Sequence, residues 1–197
     1  MLFSVFLIKE DFFMSKLKKL ILAGLLLATT IVLNRFLSIK TPILVISFSY
    51  IPIMLSAIML GPWYTMLIAG FADLIGALLF PFGAYFVGYT ISAVISGLIY
   101  GLFLYRKKEF SNKSFILRLI LSTLIVLIVC NCLLNTIWIY ITTKEALFAI
   151  LPTRLLKQLI MLPIQVVSIY FIDLGLRKLK VYDSLKEKEV QDDDNSN

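Results

Sequence analysis

The sequence predicts an all-α membrane protein, a six-transmembrane-helix bundle with both termini cytoplasmic, and three observations carry that expectation. Of 197 residues, 60% are hydrophobic and only 16% charged, with a mean hydropathy of +0.94, outside the range of soluble domains. The apolar residues gather in six runs near the ~20 residues a helix needs to cross a bilayer. Most of the cations lie in three clusters outside those runs, the distribution that topology imposes on a membrane chain.

The runs are apolar on every side rather than striped, as in lipid-facing helices. Lipid cannot satisfy backbone polar groups, and barrel strands would be shorter and alternating, so each run is expected to close its own hydrogen bonds as a helix. The first run, 17–33, follows a basic stretch. A secretory leader would look similar, but no small-residue cleavage site follows Val32. Within an N-terminal extension, 1–16, Met14-Ser15-Lys16 reads as a natural start, and residues 1–13 are expected to carry no functional weight. The second run, 43–60, contains Pro52, where a kink is expected. The link before it, 34–42, is the candidate outer lid.

Gly61-Pro62 leaves almost no loop before the third run, 63–80, and predicts a tight hairpin; Pro81-Phe82-Gly83 does the same before the fourth, 85–105. The fifth run, 115–140, holds Cys130 and Cys132, which point to different sides of one helix and are expected to stay free thiols. The sixth, 146–176, contains Pro163. Residues 17–180 thus form one membrane domain, and the polar tail 181–197, with Asp192, Asp193 and Asp194, is expected to be disordered.

A net charge of +7 would suggest nucleic acid in a soluble chain. Here the positive-inside rule absorbs it, so no nucleic-acid partner is expected. Lys9, Lys16, Lys18 and Lys19 precede the first span, Arg106, Lys107, Lys108, Lys113 and Arg118 lie between the fourth and fifth, and Arg177, Lys178, Lys180, Lys186 and Lys188 follow the sixth. All three sites are then cytoplasmic. Arg35, Lys40, Lys144, Arg154 and Lys157 fall on the outer side and need a reason other than topology.

The absence of histidine removes His-based acid–base work, triads and His-ligated metal sites, and no metal or cofactor is expected. Asp73 lies mid-span in the third run, where an acid is costly unless paired or hydrated. Two readings stay open: a structural pair with Arg35 or Arg154, or an acceptor for a planar donor pair such as the ring N–H and amino group of a pterin. Asn131, Asn135 and Trp138 share one helical face, and Arg154, Lys157 and Gln158 another. With Tyr50, Phe80, Phe82, Tyr85, Phe86 and Tyr140 nearby, these groups suggest a pocket for a planar, hydrogen-bonding anion. Taken singly, each ring suits an interfacial aromatic belt better than a pocket.

Small residues recur at four-residue steps, Gly24 with Ala28 and Ala93 with Gly97 and Gly101, a spacing that serves packing within a bundle or between subunits. No stretch matches G-x-x-x-x-G-K-[ST], so any ATP hydrolysis belongs to another chain.

The residues Leu33-Asn34-Arg35-Phe36-Leu37-Ser38-Ile39 with Thr41-Pro42, Ser47-Phe48-Ser49-Tyr50-Ile51-Pro52, Gly61-Pro62, Asp73-Leu74-Ile75-Gly76, the stretch from Pro81 to Thr90, and Gly97-Leu98-Ile99-Tyr100-Gly101 share their order and spacing with one family. Over about 18–179 the chain resembles the substrate-binding S components of energy-coupling factor (ECF) transporters, and within them the folate-specific group. The resemblance implies a multi-pass plasma-membrane subunit, without catalysis of its own, that captures a vitamin from outside. It also implies assembly with a transmembrane coupling protein and two cytoplasmic ATPases. It places the coupling contact on small residues of the first helix. Here Ala23 is followed four later by Leu27, while Gly24 and Ala28 keep the small spacing. The expected substrate-binding residues are Asn34, Arg35, Tyr50, Asp73, Phe82, Tyr85, Asn135, Trp138, Arg154 and Gln158. Cations among them suit a glutamate tail, and rings and carboxylate suit a pterin. The alternatives are another vitamin, such as riboflavin, thiamine or biotin, or an integral-membrane enzyme acting on lipid head groups.

Overall fold

The computed structural model describes residues 2–40, 45–81, 85–105, 112–143 and 147–178. Phe82, Thr41, Pro42 and the tail 181–197 lie outside the described residues, as do the side chains of Lys40, Arg154 and the first sixteen positions. Helix α1 spans Leu2–Arg35, and two short antiparallel strands follow, β1 Ser38–Lys40 and β2 Val45–Ser47, paired Ser38 to Ser47 and Ile39 to Ile46. Then come α2 (Tyr50–Leu60), α3 (Pro62–Leu79) and α4 (Val87–Leu104). A long rod is built from α5 (Asn112–Val126), a π-helical stretch (Leu127–Leu134) and α6 (Asn135–Thr143), and α7 (Leu147–Lys178) closes the bundle.

Five of these helical segments are long and apolar enough to cross a membrane. The sixth, α2, is not: its 11 residues span only ~16 Å. The expected run 43–60 is therefore corrected, its first part going into β2 and a turn. The reason lies in where α2 sits. Its Met54, Ala57 and Ile58 pack with Tyr100, Leu104, Phe115, Leu119 and Ile169, while Leu60 joins Ala23, Leu26 and Ile68 on the other side. A helix enclosed by its neighbours need not match the lipid thickness, and non-helical backbone at membrane depth is tolerated where protein surrounds it.

Pro52 does not kink α2 either. It is the third residue of the helix, where backbone N–H groups have no intrahelical acceptor, so the missing donor costs no helix bond. Pro163, with Pro152, does lie inside α7.

The junction between α2 and α3 is one residue long. Gly61 adopts φ +85°, a conformation only glycine takes cheaply, and Pro62 starts α3 where its missing N–H is harmless. Two buried hydroxyls tie the hairpin together: Thr65 donates to the Gly61 carbonyl at 2.8 Å, and Ser56 reaches Thr65 at 3.2 Å. The stripe on α4 is internal. A Cβ on Gly97 would stand 2.7 Å from the Thr65 carbonyl oxygen, and one on Gly101 would collide with the Pro62 backbone.

Candidate functional site

At the end of the bundle away from Lys18, Lys19 and Lys113, the last turns of α1 and α3 meet the first turns of α4. Arg35, the last residue of α1, lays its guanidinium across α3. It donates to the backbone carbonyls of Asp73 and Phe80, both at 3.4 Å, and its Nε would sit 2.6 Å from a Cβ on Gly76. A cation over terminal carbonyls complements the helix dipole. Glycine at 76 is what lets it lie so close.

Of the two readings left open for Asp73, the structural pair is not what Arg35 makes in the bonds above: Arg35 reaches the main chain of Asp73, Thr90 donates to Oδ2 at 2.7 Å, and the Arg154 side chain, the other partner considered, lies outside the described residues. Since the Thr90 proton is committed there, the Tyr85 hydroxyl, 3.0 Å away, donates to Thr90 in turn. The relay Tyr85 to Thr90 to Asp73 fixes the carboxylate on the half-buried face of α3 and engages one of its oxygens.

Beside this relay stands an aromatic group. Trp138 on α6 donates its indole N–H to the Ser92 hydroxyl at 2.9 Å, and its ring lies 5.6 Å from that of Phe86, which is 6.2 Å from Tyr89. Gly88 makes room, since a Cβ there would be within 2.6 Å of both Phe86 and Trp138. Phe36 packs edge-on against Phe80 at 4.9 Å, linking the segment after α1 to the end of α3.

The π-helical stretch delivers the third component. Its wider turn, closed by the Asn135 N–H on the Cys130 carbonyl, sets Asn135 within 3.4 Å of the Asn131 side chain. The Asn135 Oδ1 and the Thr136 hydroxyl are buried without a hydrogen-bond partner among the described residues. Buried polar atoms in that state signal a ligand or water. Gln158, on α7, is also buried.

Two other expected site residues make contacts of a different kind. Tyr50 is buried in the core and donates to Ser168 on α7 at 3.3 Å, so its hydroxyl fastens α2 to α7. Asn34 lends its backbone carbonyl to the Ser38 hydroxyl, and Ser47 donates to the Leu33 carbonyl at 3.0 Å, which pins the β-hairpin to α1. Phe82 and the Arg154 side chain are outside the described residues. Sequence reasoning missed Thr90 and Ser92 as donors and acceptors; their position on the first turns of α4 beside Tyr85 and Phe86 was the available signal.

On α1, Ala23 is buried against Leu26, Leu60 and Ile68, and Leu27 packs partly against the same cluster. Gly24 has open space where its Cβ would be, and Ala28 is exposed. The small residues a partner helix can reach are therefore Gly24 and Ala28, and the alternative register through Ala23 and Leu27 faces inward.

Comparison with known proteins places this architecture. The family described as ECF-type riboflavin transporter, S component, matches residues 14–178. The folate transporter FolT of Clostridium novyi is 40% identical over 157 residues, covering 80% of this chain and 88% of that protein. The folate transporter FolT of Leuconostoc mesenteroides is 37% identical over 160 residues, covering 79% and 84%. A crystal structure of FolT bound with folic acid superposes with a TM-score of 0.72 at 38% identity, covering 79% of this chain and 92% of that one. The chain is a multi-pass membrane protein and belongs to the S components of ECF-type transporters.

Proposed function

We propose that this chain is the folate-capturing subunit of an ATP-driven importer, with its site at the outer end of the bundle and both termini in the cytoplasm. The likeness to a folic-acid-bound relative over most of both chains carries this reading. Asp73, steadied by Thr90, accepts the paired N–H donors of the pterin, and Trp138 and Phe86 offer ring faces for it. Asn135 and Gln158 supply further polar contacts, and Arg154 and Lys157, on the first turns of α7, suit the carboxylates of the glutamate tail. Arg35 acts by holding the ends of α1 and α3 together beneath the ligand.

The chain only binds; the energy comes from an ECF coupling protein and ATPases. Purified protein is expected to retain folate without ATP at nanomolar to micromolar strength. The family's description names riboflavin, so the same assay includes it. Retention of riboflavin in preference to folate would replace the ligand and keep the rest.

The exposed Gly24 and Ala28 form the proposed docking stripe for the coupling protein. Gly24→Leu combined with Ala28→Leu is expected to leave folate binding unchanged and to reduce ATP-driven folate uptake by co-expressed transporter more than tenfold, roughly 1.4 kcal/mol of lost helix–helix packing or more. Uptake at the level of the unaltered protein would move the contact elsewhere.

A further inference from the structure

A serine or threonine inside a helix has a ready acceptor in the carbonyl three or four residues earlier, and within a membrane, where water is scarce, that bond is the default. Five buried hydroxyls follow the rule: Thr30 donates to Leu26, Ser56 to Ile53, Thr65 to Gly61, and Ser122 and Thr123 both to Leu119, at 2.7 to 3.0 Å. Ser92 and Thr136, 3% and 4% exposed, do not. The Ser92 hydroxyl accepts the Trp138 indole N–H at 2.9 Å. An indole nitrogen only donates, so Ser92 keeps its own proton, and no described residue accepts it. The Thr136 hydroxyl has no hydrogen-bond partner among the described residues.

We propose that the Ser92 and Thr136 hydroxyls stay out of the helix backbone and donate to acceptor atoms of the bound ligand. The inference rests on the folate reading above and deepens it. Asp73 takes N–H groups of the pterin, which leaves the oxo group and ring nitrogens of the same ring in want of donors. Both hydroxyls belong to elements already at the site. Ser92 is bonded to Trp138 and lies one turn from Gly88, which Trp138 overlies. Thr136 follows Asn135, whose Oδ1 is likewise buried without a partner among the described residues, and α6 packs against α4. For Thr136 the winding gives the reason. Cys132, four residues earlier, lies in the π-helical stretch, whose wider turn breaks the spacing that a back-bond needs. A buried hydroxyl without an acceptor costs stability, so two of them beside the site are suited to a ligand that brings acceptors with it.

The test is equilibrium titration of the purified full chain with folate, set beside its melting temperature without ligand. Thr136→Val keeps the shape of the side chain and removes the hydroxyl. It is expected to weaken folate binding about fivefold to tenfold, the worth of one neutral hydrogen bond, while the ligand-free melting temperature holds or rises because a buried polar group without a protein partner is gone. Thr136→Ser keeps the donor and binds within about twofold of the unaltered protein. Ser92→Ala weakens folate binding by at least as much as Thr136→Val, since Trp138 loses its acceptor too. Ser122→Ala, which removes a hydroxyl bonded to its own helix, leaves folate binding unchanged. Folate binding within about twofold of the unaltered protein by either Thr136→Val or Ser92→Ala overturns the proposal. A ligand-free melting temperature that drops by several degrees in Thr136→Val also overturns it, because the hydroxyl would then serve the fold. If the unaltered protein takes riboflavin in place of folate, the functional reading fails and the variants are judged on riboflavin, whose ring also presents oxo and nitrogen acceptors: the same weakening supports the two donors, and no change overturns them.

Discussion

Asp73→Asn is expected to weaken folate binding by about 2 to 3 kcal/mol, roughly thirty- to 150-fold in Kd, the worth of a hydrogen bond to a charged group. Asparagine keeps the size of the side chain and one carbonyl oxygen, which can still accept the 2.7 Å bond from Thr90. What it lacks is the second acceptor. An amide nitrogen would face a donor of the pterin, replacing attraction by a donor–donor clash. Thr90→Val tests the same relay from its other side. It leaves the charge in place and removes the group that orients it, so a smaller loss of about 1 kcal/mol is expected. Equilibrium titration with folate measures both, and an unchanged melting temperature shows that the fold is intact. Binding by Asp73→Asn within twofold of the unaltered protein would remove Asp73 from the site.

That prediction draws on a residue legible in the sequence, because an acid in a membrane span stands out by cost alone. Five spans were legible for a similar reason: length and hydropathy decide membrane crossing, and both are read directly. The Gly61-Pro62 hairpin was legible from steric necessity.

The second span was misjudged because Ile43 to Ser49 is apolar enough to extend a helix on paper. Hydropathy does not distinguish a helix from a strand of β-branched residues, and Val45 and Ile46 pair in β2 instead. The direction of Arg35 was also hidden. Its charge is visible in the sequence, but that it lies over Gly76 and donates to main-chain carbonyls depends on how α1 crosses α3. The π-helical stretch from Leu127 to Leu134 left no trace in composition, and it sets the positions of Asn131, Asn135 and Trp138. Packing between helices supplied what periodicity lacked.

The two stripes of small residues make the sharpest contrast, since their sequences are alike and their surroundings opposite. Gly101→Val is expected to lower the apparent stability of the purified protein by about 3 kcal/mol or more, at or beyond the usual range for overpacking. The first added carbon already collides with the Pro62 backbone at the start of α3, and no rotamer moves a backbone aside. The helices must separate, opening the interface that also seats Thr65 against Gly97. Gly24→Val adds the same atoms to a helix surface with nothing within 4 Å, and its melting temperature is expected to stay within a few degrees of the unaltered protein's. Melting followed in one detergent, with and without folate, compares the pair under equal conditions, and folate is expected to raise the melting temperature of Gly24→Val as it does for the unaltered chain. Equal destabilisation by both substitutions would mean that Gly24 is covered by the chain itself, and the face offered to a coupling partner would no longer exist.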